Sequence, residues 1–313
     1  MTEHILYNLE QLIKTMKNYK QKIFLVLFIC SAIVPALQLK AQDKPIDKIT
    51  PVTVHRSEVI NIASKINGVI YPIFIALPGS YFTTEKTYPV VYMLDAYSSF
   101  GIMVQMARLL AFDKEIPEVI IVGISSEGGS KEFNFNRARD FTPTQIQPEK
   151  LPEEYRSTFP ISGGAEKFLG FIKNELIPYV ESNYRFSPGD RVLEGHSLGG
   201  LFVFYSLFKD PGLFKRYISI SPALLWDDGL LIKDEEKFSK NDKSLESIIY
   251  TAVGSLESES FKKPWELLIG NLKSRQYKGM KLKSEIAEGE THYTIIPYIV
   301  THGLKSVFSD DVK

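Results

Sequence analysis

Gly195-His196-Ser197-Leu198-Gly199, followed by Gly200, is the stretch on which the reading of this sequence turns. It has the form G-x-S-x-G. Arg191-Val192-Leu193-Glu194 before it is a short strand-like run. Leu201-Phe202-Val203-Phe204-Tyr205-Ser206-Leu207-Phe208 after it is apolar enough for a buried helix. A serine at a strand-to-helix turn of this form predicts a nucleophile elbow. The serine then occupies a sharp, strained turn, and side chains at the flanking glycines would collide with the neighbouring strand and helix. The helix start places backbone N–H groups and a positive dipole end beside the hydroxyl. The bland alternative is a glycine-rich turn with an incidental serine; the strand before, the helix after and the extra glycine favour the elbow.

Working outward, the segments alternate. Val52 to Ala63 and Val69 to Leu77 read as two strands joined at Asn67-Gly68, a hairpin signal. Tyr88 to Leu94 is almost wholly apolar, as expected of a strand buried on both faces. A helix over Phe100–Phe112, a strand over Val119–Gly123 and a long amphipathic helix over Gly163–Tyr184 lead to the elbow. Beyond it come a strand at Tyr217–Ser221, a polar helix and loop over Asp227–Ser244, and a strand at Ile248–Gly254. A helix over Trp265–Gln276, a strand at Lys281–Ile286 and a last helix over Thr294–Phe308 complete the chain. This order predicts an α/β fold: a mostly parallel central sheet with an N-terminal antiparallel hairpin and helices on both faces. Ligands bind at the carboxyl ends of such strands. Residues 125–162 show no periodicity and are expected to form an irregular insertion near the site.

Composition narrows the function. The chain has 313 residues, 44% of them hydrophobic, and a formal net charge of zero, so nothing draws it to nucleic acid. Its N-terminus carries four lysines between Lys14 and Lys22, an apolar run from Ile23 to Leu39 interrupted by Ser31 and Pro35, and then Lys40-Ala41. That pattern predicts a secretory signal peptide over residues 1–41, with Met16 as an alternative start, and a domain over 42–313. The protein is then secreted or periplasmic, without stable membrane insertion once the leader is cleaved. The competing readings are an uncleaved anchor and, through Cys30, a lipoprotein; Ile29 stands where the latter would need a small residue. Cys30 is the only cysteine, so the mature domain has neither a disulfide nor a thiolate nucleophile. No cofactor is implied, and no cluster of ligand residues at metal spacing is seen.

A serine hydroxyl needs a base. Of five histidines, His4 lies in the leader, His55 in the first strand, and His196 beside the serine with its ring expected to point away. His302 falls within the last helix. His292, in the loop Glu288-Gly289-Glu290-Thr291-His292 after the last strand, is the preferred base, with His302 second. The acid that orients it belongs after a strand between the two. Glu257, in Ser255-Leu256-Glu257-Ser258-Glu259, is the preferred choice; Glu259, Asp227, Asp228 or a Ser–His dyad remain open. The oxyanion donors are expected from the backbone of Leu198 and from Ala96 or Tyr97 after Asp95, an aspartate expected to anchor its loop.

The matching pieces are Tyr88 to Asp95, Arg139-Asp140-Phe141-Thr142-Pro143, Glu175 to Val180, Gly195 to Gly200, Ile220-Ser221-Pro222-Ala223 and Glu288 to His292. Together they resemble the esterase family of α/β hydrolases that includes enterochelin-type siderophore esterases, feruloyl and acetylxylan esterases, S-formylglutathione hydrolases and mycolyl transferases. The resemblance runs from about Thr53 to Phe308 and implies the α/β-hydrolase fold and a serine esterase working through an acyl-enzyme. It selects Tyr97 as the second oxyanion donor. Arg137-Ala138-Arg139-Asp140-Phe141-Thr142-Pro143-Thr144 looks most like the siderophore branch, where a basic residue faces the catecholate ligand; Arg137 or Arg139 would match it. Their other role is an ion pair with Asp140 or another local acid. The substrate is a small-molecule or glycan ester: a siderophore trilactone, or an acetyl or feruloyl ester of plant polysaccharide. Acyl transfer to a sugar would use the same groups. A non-catalytic binding protein that keeps the fold is the alternative of another class.

Overall fold

The computed structural model describes residues 52–147, 161–241 and 244–309, with Gln11, Asn18 and Glu149. The described residues from Val54 onward form one compact unit. The expected leader lies outside the described residues apart from Gln11 and Asn18. Among the described residues no helix is long and apolar enough to cross a membrane.

Eight strands build one sheet: β1 (Ser57–Ala63), β2 (Ile70–Ala76), β3 (Tyr88–Met93), β4 (Ile120–Ile124), β5 (Phe186–His196), β6 (Arg216–Ile220), β7 (Ile248–Gly254) and β8 (Lys281–Ala287). Their spatial order is β1-β2-β4-β3-β5-β6-β7-β8. β2 runs antiparallel to both β1 and β4, and every other pairing is parallel. The β1–β2 hairpin turns at Gly68, whose φ of 74° suits glycine; the Asn67 side chain accepts the Val69 N–H at 3.1 Å.

Strand periodicity sorts side chains between two cores. On β3 and at Leu94 just after it, Val90, Tyr92 and Leu94 face one side, and Val91 and Met93 face the other. The second face is covered by α1 (Ala96–Phe112) and α8 (Ile295–Val307). The first carries α2 (Ser130–Phe141), α3 (Ala165–Phe171), a π-helical turn (Ile172–Leu176), α4 (Ile177–Asn183), α5 (Leu198–Lys209), α6 (Trp226–Asn241) and α7 (Glu259–Arg275). Covering a parallel sheet on both faces explains why β3 and β4 are apolar throughout.

Two expectations need correction. The segment 125–162 is not irregular throughout: it holds α2. This helix is rich in charge and amide, and it buries Ala138, Asp140 and Phe141 while satisfying its charges in ion pairs, so its apolar period is weak. Residues 148 and 150–160 lie outside the described residues. His55 precedes β1 rather than lying in it, because the chain turns there and Arg56 adopts φ 54°. Asp227-Asp228-Gly229 interrupt α6 with three consecutive left-handed residues.

Candidate active site

β5 delivers Ser197 at its carboxyl end with φ 60° and ψ −113°, a conformation that L-residues avoid. Two glycines make the turn geometrically feasible. A Cβ at Gly195 would lie 2.6 Å from the carbonyl of Gly199, and one at Gly200 would lie 2.8 Å from that of Ile220. The Ser197 N–H donates to the Ile220 carbonyl at 2.9 Å, which ties the turn to β6.

The loops after β7 and β8 are laced together. Ser255 N–H donates to Ala287, Leu256 N–H donates to the Glu290 carbonyl at 3.0 Å, and Gly289 N–H donates to Ser255 Oγ. This contact brings His292 onto Glu257 and Ser197. Ser197 Oγ stands 3.1 Å from His292 Nε2, and His292 Nδ1 stands 2.7 Å from Glu257 Oε2. A carboxylate only accepts, so Nδ1 carries the proton and Nε2 is free to accept from the serine. Glu257 Oε1 takes the Ser221 hydroxyl at 2.5 Å and the Gly254 N–H at 2.7 Å. Burial pushes the Glu257 pKa up, but the hydrogen bonds from His292, Ser221 and Gly254 outweigh it and hold the carboxyl below its ordinary value.

Leu198 and Tyr97 occupy the first turns of α5 and α1, where backbone N–H groups lack intrahelical acceptors. The alternatives stand apart. His302 lies in α8 with its ring 3.9 Å from that of Tyr298. Glu259 is exposed and pairs with Lys262 at 2.9 Å, and Asp227 and Asp228 sit in the kink of α6.

Arg137 and Arg139 are both engaged by acids. Arg137 binds Asp95 through two nitrogens, at 2.6 and 2.9 Å, and Arg139 binds its neighbour Asp140 at 2.8 and 2.6 Å. Arg137 stands in the wall of the cavity over Ser197; Arg139 is not among the residues lining it. That cavity, about 520 Å³, is bounded by Phe133, Asn134, Tyr293 and Pro297 among others. Its size suits a drug-sized ligand. A smaller cavity of about 330 Å³, beside Arg56 and Arg108, is lined by His55 and Glu118 but by no serine, threonine or cysteine. Among the described residues no group of His, Cys, Asp and Glu could hold a metal ion.

Two buried side chains at the elbow were not among the residues expected to act. His196 does not idle behind the elbow: its Nε2–H donates to the His292 carbonyl at 2.7 Å. Burial lowers its pKa to about 3, with the nearby His292 and Arg137 adding to the effect, so the ring is neutral. Glu194 is buried beneath the elbow, and its Oε2 has no partner among the described residues. Burial, and then the charge of Asp95, pushes its pKa up to about 8. The folded state therefore holds a proton that the unfolded chain releases near the ordinary carboxyl value of 4.5. Stability falls as pH rises between these two values and levels off above the higher one. Glu194→Gln should flatten that slope and raise Tm at pH 8 by about 3 °C or more. A pH series of thermal melts checks it; an unchanged slope would mean that Glu194 titrates normally.

The family described as "Putative esterase" matches residues 64–252, more than half of the chain. The chain belongs to this family. Carboxylic ester hydrolysis is the class of activity that goes with such membership. Among this esterase's relatives is the ferri-bacillibactin esterase BesA of Bacillus subtilis, 32% identical over 270 residues, covering 83% of this chain and 92% of the relative. Two solved structures share its architecture. The BES protein from Bacillus cereus is 29% identical with a TM-score of 0.71, covering 83% of this chain and 99% of that one. An IroE-like serine hydrolase from Shewanella oneidensis is 28% identical with a TM-score of 0.72, covering 81% and 80%. The esterase thus has the mixed, mostly parallel sheet and flanking helices of the α/β hydrolases.

Proposed function

We propose that this protein is an exported serine esterase that opens the ester bonds of a siderophore through an acyl-enzyme. The observation that carries the chemistry is the hydrogen-bonded series Ser197–His292–Glu257, whose Ser197 and His292 line the cavity. The substrate class rests on the likeness to the ferri-bacillibactin esterase, which extends over 92% of that relative.

In this reading Ser197 Oγ attacks the ester carbonyl carbon while its proton passes to His292 Nε2. The carbonyl oxygen becomes an oxyanion held by the N–H groups of Leu198 and Tyr97. The carbon–oxygen bond to the leaving alcohol breaks as His292 returns the proton to it. Water repeats the sequence on the acyl-enzyme and frees the acid. Glu257 keeps the imidazole in the productive tautomer and stabilises the imidazolium. Arg137, in the cavity wall, supplies positive potential for an anionic catecholate ligand, with Arg139 on the same helix. Phe133 adds an aromatic face. Export rests on the basic and apolar pattern of residues 1–41.

The test pairs labelling with turnover. A fluorophosphonate should modify Ser197 in the intact protein, read by mass spectrometry of the peptide. The same preparation should hydrolyse ferric and iron-free trilactone siderophores faster than feruloyl or acetyl sugar esters. Turnover confined to the sugar esters would move the substrate reading; absence of labelling would remove the serine mechanism.

A further inference from the structure

Asp95 is the N-cap of α1, yet its carboxylate makes no hydrogen bond to that helix. This is unusual chemistry for the position, since an N-cap aspartate ordinarily accepts the N–H of the second or third helical residue. Here both carboxylate oxygens face Arg137, at 2.6 and 2.9 Å, and the pair is largely withdrawn from solvent. The cap's side chain therefore leaves the first N–H groups of α1, that of Tyr97 among them, unclaimed. The same Arg137 Nη2 also donates to the carbonyl of His196 at 3.1 Å, immediately before the nucleophile. Its guanidinium lies 5.3 Å from the Phe133 ring centre, and Phe133 stacks on Tyr97 at 5.1 Å. A single planar group thus spans the loop after β3, the elbow after β5 and helix α2. The link continues to the base, because the ring of His196 donates to the His292 carbonyl.

We propose that Arg137 is a positioning residue: its fork joins the two halves of the oxyanion hole and holds the Asp95 carboxylate away from the N–H groups that must receive the oxyanion. This rests on the acyl-enzyme reading above. It differs from a charge-binding role, because a brace acts on every ester whatever the charge of the substrate. A lysine keeps the charge but has no planar fork, so it cannot serve both oxygens of Asp95 and the His196 carbonyl together.

The experiment measures kcat and KM for wild type, Arg137→Lys, Asp95→Asn, their double variant and Ser197→Ala. The substrates are neutral p-nitrophenyl acetate and the anionic mono-p-nitrophenyl succinate. Misplacement of donors by about 1 Å can cost on the order of 100-fold. Arg137→Lys and Asp95→Asn should therefore each lower kcat by about 10- to 100-fold on both esters, with KM changed by less than about threefold. The double variant should be no slower than the slower single one, since the two residues form one device. Phosphonylation of Ser197 by a fluorophosphonate should slow in parallel, and thermal melts select the variants that are folded. If Arg137→Lys fails to fold, Asp95→Asn carries the same expectation alone. Full kcat on the neutral ester in either folded variant, with a loss only in KM for the anionic one, overturns the brace. Ser197→Ala separates the two readings: an active Ser197→Ala enzyme removes the serine mechanism, whereas an inactive one beside a fully active Arg137→Lys enzyme removes the brace alone.

Discussion

Ser197→Ala is expected to lower kcat on a p-nitrophenyl ester by on the order of 10⁵ to 10⁶, and His292→Ala by a similar factor. The reason is the geometry of proton transfer. The hydroxyl is 3.1 Å from His292 Nε2, and no other histidine ring nitrogen is hydrogen-bonded to it among the described residues. Without the imidazole the hydroxyl is a poor nucleophile; without the hydroxyl the imidazole has nothing to activate. The losses should not add: the double variant should match the slower single one and retain about 10³-fold acceleration over water from the oxyanion donors and binding. His302→Ala should change kcat little, since that ring packs beside Tyr298 within α8. Steady-state kinetics on the three single variants and the double one decide the matter. A near-normal His292→Ala enzyme with a dead His302→Ala enzyme would transfer the base to α8.

Elimination among few residues is what made this pair legible. A G-x-S-x-G turn has one serine, and of the five histidines only His292 falls in a loop after a strand beyond that turn. The alternation of strands and helices likewise follows from period and from glycine turns, and the sheet retains the hairpin at one edge. Helix α2 was hidden for a physical reason. Its outer face and its ion pairs are polar, and it buries little more than Ala138, Phe141 and the Asp140 carboxylate, so no apolar stripe marks it. The Arg137–Asp95 pair joins residues 42 positions apart, and nothing local says which acid an arginine will meet. His196 illustrates the same limit. The residue beside an elbow serine can be expected to turn its ring aside, but the partner that ring meets is decided by the β8–α8 loop, 96 residues on. Glu257 was readable only as one acid of several in a polar loop. What separates it from Glu259 is Ser221 and Gly254, two donors that come together only when β6 and β7 pair.

Those two donors make Glu257→Gln the most informative change at the acid, with an expected loss in kcat of about 10⁴. Oε1 receives two hydrogens, from the Ser221 hydroxyl and the Gly254 N–H, so the glutamine's carbonyl oxygen takes that place and its NH₂ takes the place of Oε2. The NH₂ then points at His292 Nδ1, 2.7 Å away in the parent protein, and can only donate. Nδ1 must become the acceptor, which moves the ring proton to Nε2, and an Nε2–H cannot take the proton of Ser197. The variant should therefore fold with nearly the same shape while losing turnover. Raising pH should not restore it, because the fault is a tautomer and not a charge. The carboxylate also shapes acid stability. Its pKa is held below the ordinary value in the folded state, so its contribution is present above the unfolded carboxyl pKa and is lost as pH falls through the folded one. Glu257→Gln should remove that part of the acid sensitivity, whereas Glu259→Gln, at an exposed ion pair with Lys262, should alter kcat little. Turnover measured across pH for both variants, beside ¹⁵N NMR of the His292 ring to read its tautomer, tests each step. A Glu257→Gln enzyme with near-normal kcat would mean that Ser197 and His292 work as a dyad.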